Sequence, residues 1–240
     1  METVTADTFF SGRMTVRQPK NGYRFSIDAV LAADFMRCKE GQTVLDLGTG
    51  CGIIPLILAF RNPGLKIFGV EIQAALARFA AANVQANRLE GRVRILHRDL
   101  KSLTINEIPD QVSHVVCNPP YRKMASGRVN PHPEKAAARH EIFAKLEDFV
   151  AAASRMLPLS GHLTCVYPAQ RLVDMMVRMR AAGLEPKRLC TVHSKEGSKA
   201  RLVLITGVKG GRPGLDVEQP LIIYRDDRSY TDEVARLFRP

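Results

Sequence analysis

The chain has 240 residues, 45% of them hydrophobic, which is enough to bury the core of one domain without disulfide or metal support. Its apolar runs are shorter than the roughly 18 residues of a membrane span, and its N-terminus lacks the pattern of a secretory signal. The 35 Lys and Arg residues against 24 Asp and Glu give a net charge of +11. This charge favours a polyanionic partner, although a basic protein without any nucleic-acid role has the same composition.

The first predicted elements are a β-hairpin and a helix. Residues 14–17 and 23–27 read as strands, and they flank Asn21-Gly22, which is a strong hairpin signal. A helix is predicted over 27–37, with Ser26 as its N-cap.

From residue 43 onward, predicted strands and helices alternate. The strands are predicted at 43–47, 66–70, 92–97, 113–117, 162–167, 188–193 and 201–207, and the helices at 53–60, 74–87, 141–157 and 170–182. This alternation predicts an α/β sandwich around a mostly parallel seven-stranded sheet with an antiparallel final strand. Beyond Lys209 the chain is rich in Gly and Pro, and we expect a loosely packed tail with one strand at 221–224.

The five cysteines are scattered and odd in number, and they form no C-x-x-C pair. Cys117, Cys165 and Cys190 lie in apolar runs that are predicted as strands. We interpret them as buried thiols of a reducing compartment, and not as a disulfide or zinc framework. The sequence therefore predicts a cytoplasmic protein without a metal site, and it does not indicate an oligomeric state.

A glycine loop follows the first strand of the alternating region, at Asp46-Leu-Gly48-Thr-Gly50-Cys-Gly52. Glycines at this position let the backbone turn sharply and approach a ligand closely. A dinucleotide fingerprint would need a sixth-position glycine where this chain has Ile53. The G-x-G-x-G spacing after an acid instead resembles the loop of S-adenosylmethionine-dependent methyltransferases.

Acidic residues end three consecutive predicted strands. Asp46 can help to neutralise the positive charges of the cofactor, Glu71 can accept both ribose hydroxyl protons, and Asp99 can accept from the adenine amine. A single acid at a strand end is more often a solvated cap. Three of them at the carboxyl ends of neighbouring strands indicate a ligand site, because open α/β sheets bind ligands there.

Asn118-Pro119-Pro120-Tyr121 follows the fourth strand. The exocyclic amine of adenine is a poor nucleophile, because its lone pair is delocalised into the ring. The side-chain carbonyl of Asn118 and the backbone carbonyl of Pro119 can accept its two N–H groups and return that lone pair to nitrogen. Tyr121 can stack on the flat target and orient it. A proline-rich turn that merely closes a strand is the alternative interpretation.

The two motifs together resemble the class I methyltransferases that act on exocyclic amines, whose signature is (D/N)-P-P-(Y/F/W). The segment Gly22-Tyr-Arg-Phe-Ser-Ile-Asp-Ala-Val-Leu31 is similar to a narrower group, the bacterial methyltransferases of adenine 37 in a valine tRNA. The resemblance spans residues 8 to 208. It implies a Rossmann-like fold, S-adenosylmethionine as cofactor and tRNA as partner.

The resemblance also implies a division of the chain and further contacts. Residues 1–42 are expected to pack on the cofactor site, 43–208 to form the methyltransferase domain and 209–240 to form a C-terminal tail. The expected additional cofactor contacts are Arg24, Phe25 and Asp28 of the N-terminal lid, Ile72 and Leu100 after the strand-end acids, and Asn118.

Residues 122–140 form a predicted loop with five Lys or Arg and one Glu. It follows the Asn-Pro-Pro-Tyr motif directly, so it is either a clamp on an RNA backbone or a solvated loop. The candidate RNA contacts are Arg122, Lys123, Arg128, Lys135 and Arg139, with Lys195 and Lys199 in a later hairpin connection.

Several activities share these motifs. A glutamine methyltransferase of release factors uses the same Asn-Pro-Pro-Tyr motif but is expected to have a helical N-terminal domain. Here only about 42 residues precede the strand at 43–47, the first of the alternating region. A DNA adenine methyltransferase needs a target-recognition insert for which the chain has no room. A ribosomal-RNA guanine N2-methyltransferase stays open, and so does an RNA-binding scaffold without activity, against which the intact acids argue.

Overall fold

The computed structural model describes residues 4–19, 26–120 and 144–239. Its elements, in chain order, are β1 (Val4–Phe9), β2 (Met14–Pro19), α1 (Ile27–Phe35), β3 (Thr43–Leu47), α2 (Ile53–Arg61), β4 (Lys66–Glu71), α3 (Ala74–Ala86), β5 (Val93–His97), β6 (Val112–Cys117), α4 (Leu146–Met156), β7 (His162–Pro168), α5 (Leu172–Ala181), β8 (Leu184–His193), β9 (Ala200–Lys209), β10 (Asp216–Val217), β11 (Leu221–Ile222) and α6 (Asp232–Arg236). The alternation of strands and helices predicted from residue 43 onward is confirmed.

The main sheet has the strand order β10-β8-β9-β7-β6-β3-β4-β5, and β11 also pairs with β8. Strand β9 is antiparallel to both of its neighbours, whereas β3, β4, β5, β6 and β7 pair in parallel. The predicted mostly parallel sheet with an antiparallel final strand is therefore confirmed. The short strands β10 and β11 extend it to nine strands. A strand was predicted at the position of β11, whereas β10 was not predicted.

Helices cover both faces of the sheet. Buried side chains of α1 and α2 form one hydrophobic cluster together with residues of the N-terminal hairpin and the C-terminal segment. Buried side chains of α4 and α5 form the other cluster on the opposite face. The central strands are covered on both sides, as in β3, where all residues are buried.

The N-terminal hairpin differs from the predicted one. Strand β2 does cover 14–17, but it pairs with the preceding strand β1, through a turn in which Phe10 and Ser11 have positive φ. The predicted partner strand at 23–27 is wrong at its end, because α1 begins at Ile27. The predicted turn at Asn21-Gly22 lies outside the described residues. Ser26 is the N-cap residue as predicted, but its side chain makes no capping hydrogen bond within the described part of the chain.

The C-terminal segment is packed and not loose, which corrects the expectation for the tail. Leu221, Ile223, Val234 and Leu237 are buried in the cluster that contains α1 and α2. Strand β11 pairs in parallel with β8 close to the predicted position. The glycines and prolines that suggested a loose tail belong to the connection before β11, whereas the apolar residues after it bury against the domain.

Two element boundaries differ from the predicted ones, and three cysteines are buried as predicted. Helix α4 begins at Leu146, later than the predicted 141, and the Asp148 side chain caps its first turn by accepting from the Lys145 backbone N–H at 2.8 Å. Strand β8 begins at Leu184, earlier than predicted. Cys117, Cys165 and Cys190 are buried free thiols, which confirms their interpretation as small apolar residues.

Candidate active site

The loops that follow β3, β4, β5 and β6 meet at one edge of the sheet. Leu47 pairs with Val70 on one side and with Cys117 on the other, so the next residues, Gly48, Glu71 and Asn118, stand side by side. Glu71 in turn pairs with His97, two residues before Asp99. The parallel register thus brings the glycine loop, Glu71, Asp99 and the Asn-Pro-Pro motif together at the carboxyl ends of the strands.

The glycine loop adopts a conformation that favours glycine at each of its three glycines. Gly48, Gly50 and Gly52 have φ of 73°, 58° and 84°. A side chain at Gly48 would also meet ring carbons of Phe149 at 3.1 Å and 3.3 Å, and one at Gly52 would meet the Ala80 Cβ at 3.2 Å. Glycine is therefore required here both by the backbone and by the close approach of α3 and α4.

Glu71 holds the glycine loop in place. Its two carboxylate oxygens accept hydrogen bonds from the backbone N–H groups of Gly50 and Gln73, each at 2.9 Å. Burial raises the pKa of the Glu71 carboxyl, and the backbone donors and His97 oppose part of that rise. Each oxygen keeps a second lone pair, so the carboxylate can still accept ribose hydroxyl protons.

Asp46 is a buried carboxyl group without a matching partner in the described residues. Neither of its oxygens accepts a hydrogen bond of good geometry there, and the Thr49 hydroxyl, which lies close to the carboxyl, donates none of good geometry. Burial raises the pKa of Asp46 to about 7, the nearby Thr49 hydroxyl offsets part of this, and the charge of Glu71 adds to it. Such a buried carboxyl beside a ligand loop fits the sulfonium and ammonium groups of S-adenosylmethionine.

The affinity for S-adenosylmethionine is expected to depend on the ionisation of Asp46. A cation beside Asp46 lowers its pKa, so binding releases a proton at pH values between this lowered pKa and about 7. The Kd for S-adenosylmethionine should therefore fall as the pH rises, by up to about tenfold per pH unit, and level off above about pH 8. Calorimetric titrations from acid to neutral pH measure this, and Asp46→Asn is the control that should remove the dependence. An unchanged pH profile in that variant would contradict the role of Asp46.

Asp99 and its neighbours line the outer end of the site. The Asp99 Oδ1 accepts from the Lys101 backbone N–H at 2.9 Å, and Oδ2 lies 3.6 Å from the Lys101 Nζ. With 34% of its side chain exposed, the carboxylate remains accessible to an amine donor. Leu100 is buried and Ile72 is half-buried, and the His97 Nε2 lies 3.0 Å from the carbonyl oxygen of Ile72.

Asn118 presents an unmatched acceptor at the centre of this edge. Its side-chain Oδ1 is buried and has no hydrogen-bond partner in the described residues. Pro119 is buried behind it and Pro120 is half-buried. Such a buried oxygen is costly unless a donor reaches it, and the N–H group of a target amine is a donor of the required kind.

Part of the predicted site falls outside the described residues. These are Arg24 and Phe25 of the lid, Tyr121 of the motif, and Arg122, Lys123, Arg128, Lys135 and Arg139 of the basic loop. Asp28 is buried in the first turn of α1. Lys195 and Lys199 lie between β8 and β9, at the carboxyl end of β8 and so on the same edge as Asn118, and the Lys195 Nζ donates to the Asp226 carbonyl at 3.1 Å.

The described residues contain neither a cluster of metal-ligating side chains nor a membrane-spanning helix. No group of three or more His, Cys, Asp and Glu side chains there is arranged to hold a metal ion. Within the same residues, no helix has the length and apolar character needed to cross a membrane.

The fold and the site together define a class I methyltransferase, the class whose methyl donor is S-adenosylmethionine. Residues 27–182 match the family described as the methyltransferase small domain, and the chain belongs to that family. The solved structures agree in fold. A predicted O-methyltransferase from Agrobacterium tumefaciens superimposes with a TM-score of 0.70 at 22% identity, over 88% of this chain and 94% of that one.

Curated relatives are similar over nearly their full length. A tRNA1(Val) (adenine(37)-N6)-methyltransferase from Tolumonas auensis is 25% identical, over 92% of this chain and 91% of the relative. A protein of the same name from Pedobacter heparinus is 29% identical, over 90% of this chain and 89% of the relative.

Proposed function

We propose that this protein transfers a methyl group from S-adenosylmethionine to the exocyclic N6 of an adenine in tRNA, and that the target is adenine 37 of a valine tRNA. The observation that carries this proposal is the buried, unmatched Oδ1 of Asn118, next to the glycine loop. The names of the curated relatives support the choice of tRNA and of the nucleotide. A tRNA substrate also supports a cytoplasmic location.

Bound S-adenosylmethionine supplies an electrophilic methyl group. The glycine loop, Glu71 and Asp99 would hold this cofactor, and Asp46 would offset its positive charge. The Asn118 side-chain oxygen accepts a hydrogen bond from one N–H of the amine, and the carbonyl of Pro119 accepts one from the other N–H, in a direction that the proline ring restricts. These bonds draw the amine lone pair back onto nitrogen while it faces the cofactor. The residues therefore act by positioning and by electrostatic complementarity.

The tRNA is recognised on the same edge of the sheet. Lys195 and Lys199 stand at the carboxyl end of β8, which is separated from β6 by β9 and β7, so they lie about 15 Å to the side of Asn118. Lys199 is exposed. Cations at that distance suit the phosphates that flank a base held at Asn118, and the basic residues of 122–140 add to this charge.

Transfer of labelled methyl from S-adenosylmethionine to total bacterial tRNA tests the proposal, with ribosomal RNA, DNA and release factor in parallel. We expect label in tRNA, recovered as N6-methyladenine. A valine tRNA transcript should accept the label, and the same transcript with guanine at position 37 should not. Label in protein alone would mean a glutamine methyltransferase, and label in ribosomal RNA as methylguanine would replace tRNA by that substrate.

A further inference from the structure

Asn83 of α3 and Asn87, the C-cap residue of that helix, bind the edge of β2 that does not pair with β1. The Asn83 side chain accepts from the Arg17 backbone N–H at 2.8 Å and donates to the Arg17 carbonyl at 2.8 Å. The Asn87 side chain does the same with Thr15, accepting at 2.9 Å and donating at 2.7 Å. The two amide groups thus replace a neighbouring strand along β2.

The spacing of the two elements explains this match. Residues four apart on a helix rise by about 6 Å and share a face. Residues two apart on a strand advance by about 6.8 Å and direct their backbone groups to the same edge. Asn83 and Asn87 therefore reach Arg17 and Thr15 with the same geometry. The pair also satisfies a strand edge that β1 leaves open.

The two amides differ in the acceptor of their third hydrogen bond. The Asn83 Nδ2 also donates to the carbonyl of Cys51 at 2.9 Å, inside the glycine loop. The Asn87 Nδ2 donates to the carbonyl of Asn83 at 2.7 Å, within its own helix. Asn83 is 0% exposed. One buried amide therefore joins the glycine loop to the N-terminal hairpin, and its neighbour joins only the hairpin to α3.

We propose that Asn83 is a positioning residue for S-adenosylmethionine, since it fixes the carbonyl of Cys51 between Gly50 and Gly52. It also couples the loop to β2, which leads into the segment with the predicted lid residues Arg24 and Phe25. This inference rests on the binding of S-adenosylmethionine that the proposed function requires. The residue does not touch the reacting atoms, so it acts through the shape of the loop.

The hairpin has other anchors, which makes the role of Asn83 separable from folding. The rings of Phe10 and Phe60 stack at 4.3 Å with an interplanar angle of 1°, so the hairpin turn packs on α2. The guanidinium of Arg61 lies 5.6 Å from the Phe10 ring centroid. The Phe9 and Phe238 rings stack at 6.1 Å and tie the hairpin to the C-terminal segment. We therefore expect variants of either asparagine to keep the hairpin folded.

The test compares Asn83→Ala with the matched control Asn87→Ala in the full chain. Both variants lose two hydrogen bonds to β2 and should lower the unfolding midpoint to a similar extent. Calorimetry should show a Kd for S-adenosylmethionine that rises about tenfold or more in Asn83→Ala and less than about threefold in Asn87→Ala. In turnover, Asn83→Ala should raise the KM for S-adenosylmethionine and leave kcat at saturating cofactor nearly unchanged.

Equal changes of Kd in the two variants would overturn the inference, because they would show that only the docking of the hairpin matters. If Asn83→Ala does not fold, Asn83→Asp replaces it. That variant keeps the acceptor for the Arg17 N–H but loses the Nδ2 donor to the carbonyls of Arg17 and Cys51, and an unchanged Kd would again overturn the inference. The calorimetry needs no RNA, so a wild type that binds S-adenosylmethionine but does not methylate tRNA would contradict only the proposed function. A wild type that does not bind the cofactor would contradict both.

Discussion

Replacing Asn118 by alanine is expected to lower kcat for methyl transfer by about 10²- to 10³-fold, the usual loss when one preorganised polar group is removed from a reacting centre. The affinity for S-adenosylmethionine should stay within about threefold of wild type, because Asn118 is only one of its expected contacts and the others, on the neighbouring strands, are unchanged. The buried Oδ1 of Asn118 has no partner among the described residues, so its removal leaves no protein donor unmatched there. Single-turnover kinetics together with calorimetry separate the two effects.

Asn118→Asp is the matched control for this prediction. Aspartate keeps an acceptor oxygen at the same distance from the backbone, and the signature that Asn118 resembles admits either residue. The variant should therefore recover most of the activity that alanine loses. Near-normal turnover in Asn118→Ala would mean that the amine is activated elsewhere, and an equal loss in both variants would point to a role for the Asn118 N–H groups.

The strand ends of the site could be predicted from the sequence because the pattern there is local. Predicted strands such as 43–47 end at or near a glycine or a polar residue, and parallel strands place their carboxyl ends on one edge. Glu71, Asp99 and Asn118 were therefore expected to lie together, and the register of β3, β4, β5 and β6 places them so. Residue type and chain order are therefore enough to predict which strand-end residues lie together in the candidate site.

The N-terminal hairpin could not be predicted in the same way, because it depends on distant contacts. Asn21-Gly22 is a strong local turn signal, but the partner of β2 is β1, and the other edge of β2 is bound by side chains of α3. On the sequence, Asn83 and Asn87 look like polar residues of a solvated helix face. Their spacing of four residues matches the spacing of backbone groups along a strand edge. This match predicts a contact only when β2 is already known to lie beside α3.

The burial and the hydrogen-bond partners of the three acids also could not be predicted from the sequence. Asp46, Glu71 and Asp99 look alike as acids at strand ends. In the described part of the chain, however, Asp46 is buried and unmatched, Glu71 is held by two backbone donors, and Asp99 remains one-third exposed. Burial raises the pKa of the first two, and it depends on what packs over each strand end. The three residues are thus expected to contribute differently to binding, which their variants can measure.

Glu71→Gln is expected to raise the Kd for S-adenosylmethionine by about 10²-fold, whereas Asp99→Asn should raise it less than about tenfold. The glutamine amide of the first variant can accept from only one of the two backbone N–H groups that Glu71 now binds, so its NH₂ group faces a donor and the turn at Gly50 loosens. Loss of the buried charge removes a desolvation penalty. The free energy of unfolding should therefore change less than the free energy of S-adenosylmethionine binding. Calorimetry and thermal unfolding measure both, and equal Kd values in the two variants would contradict the assignment of the ribose to Glu71.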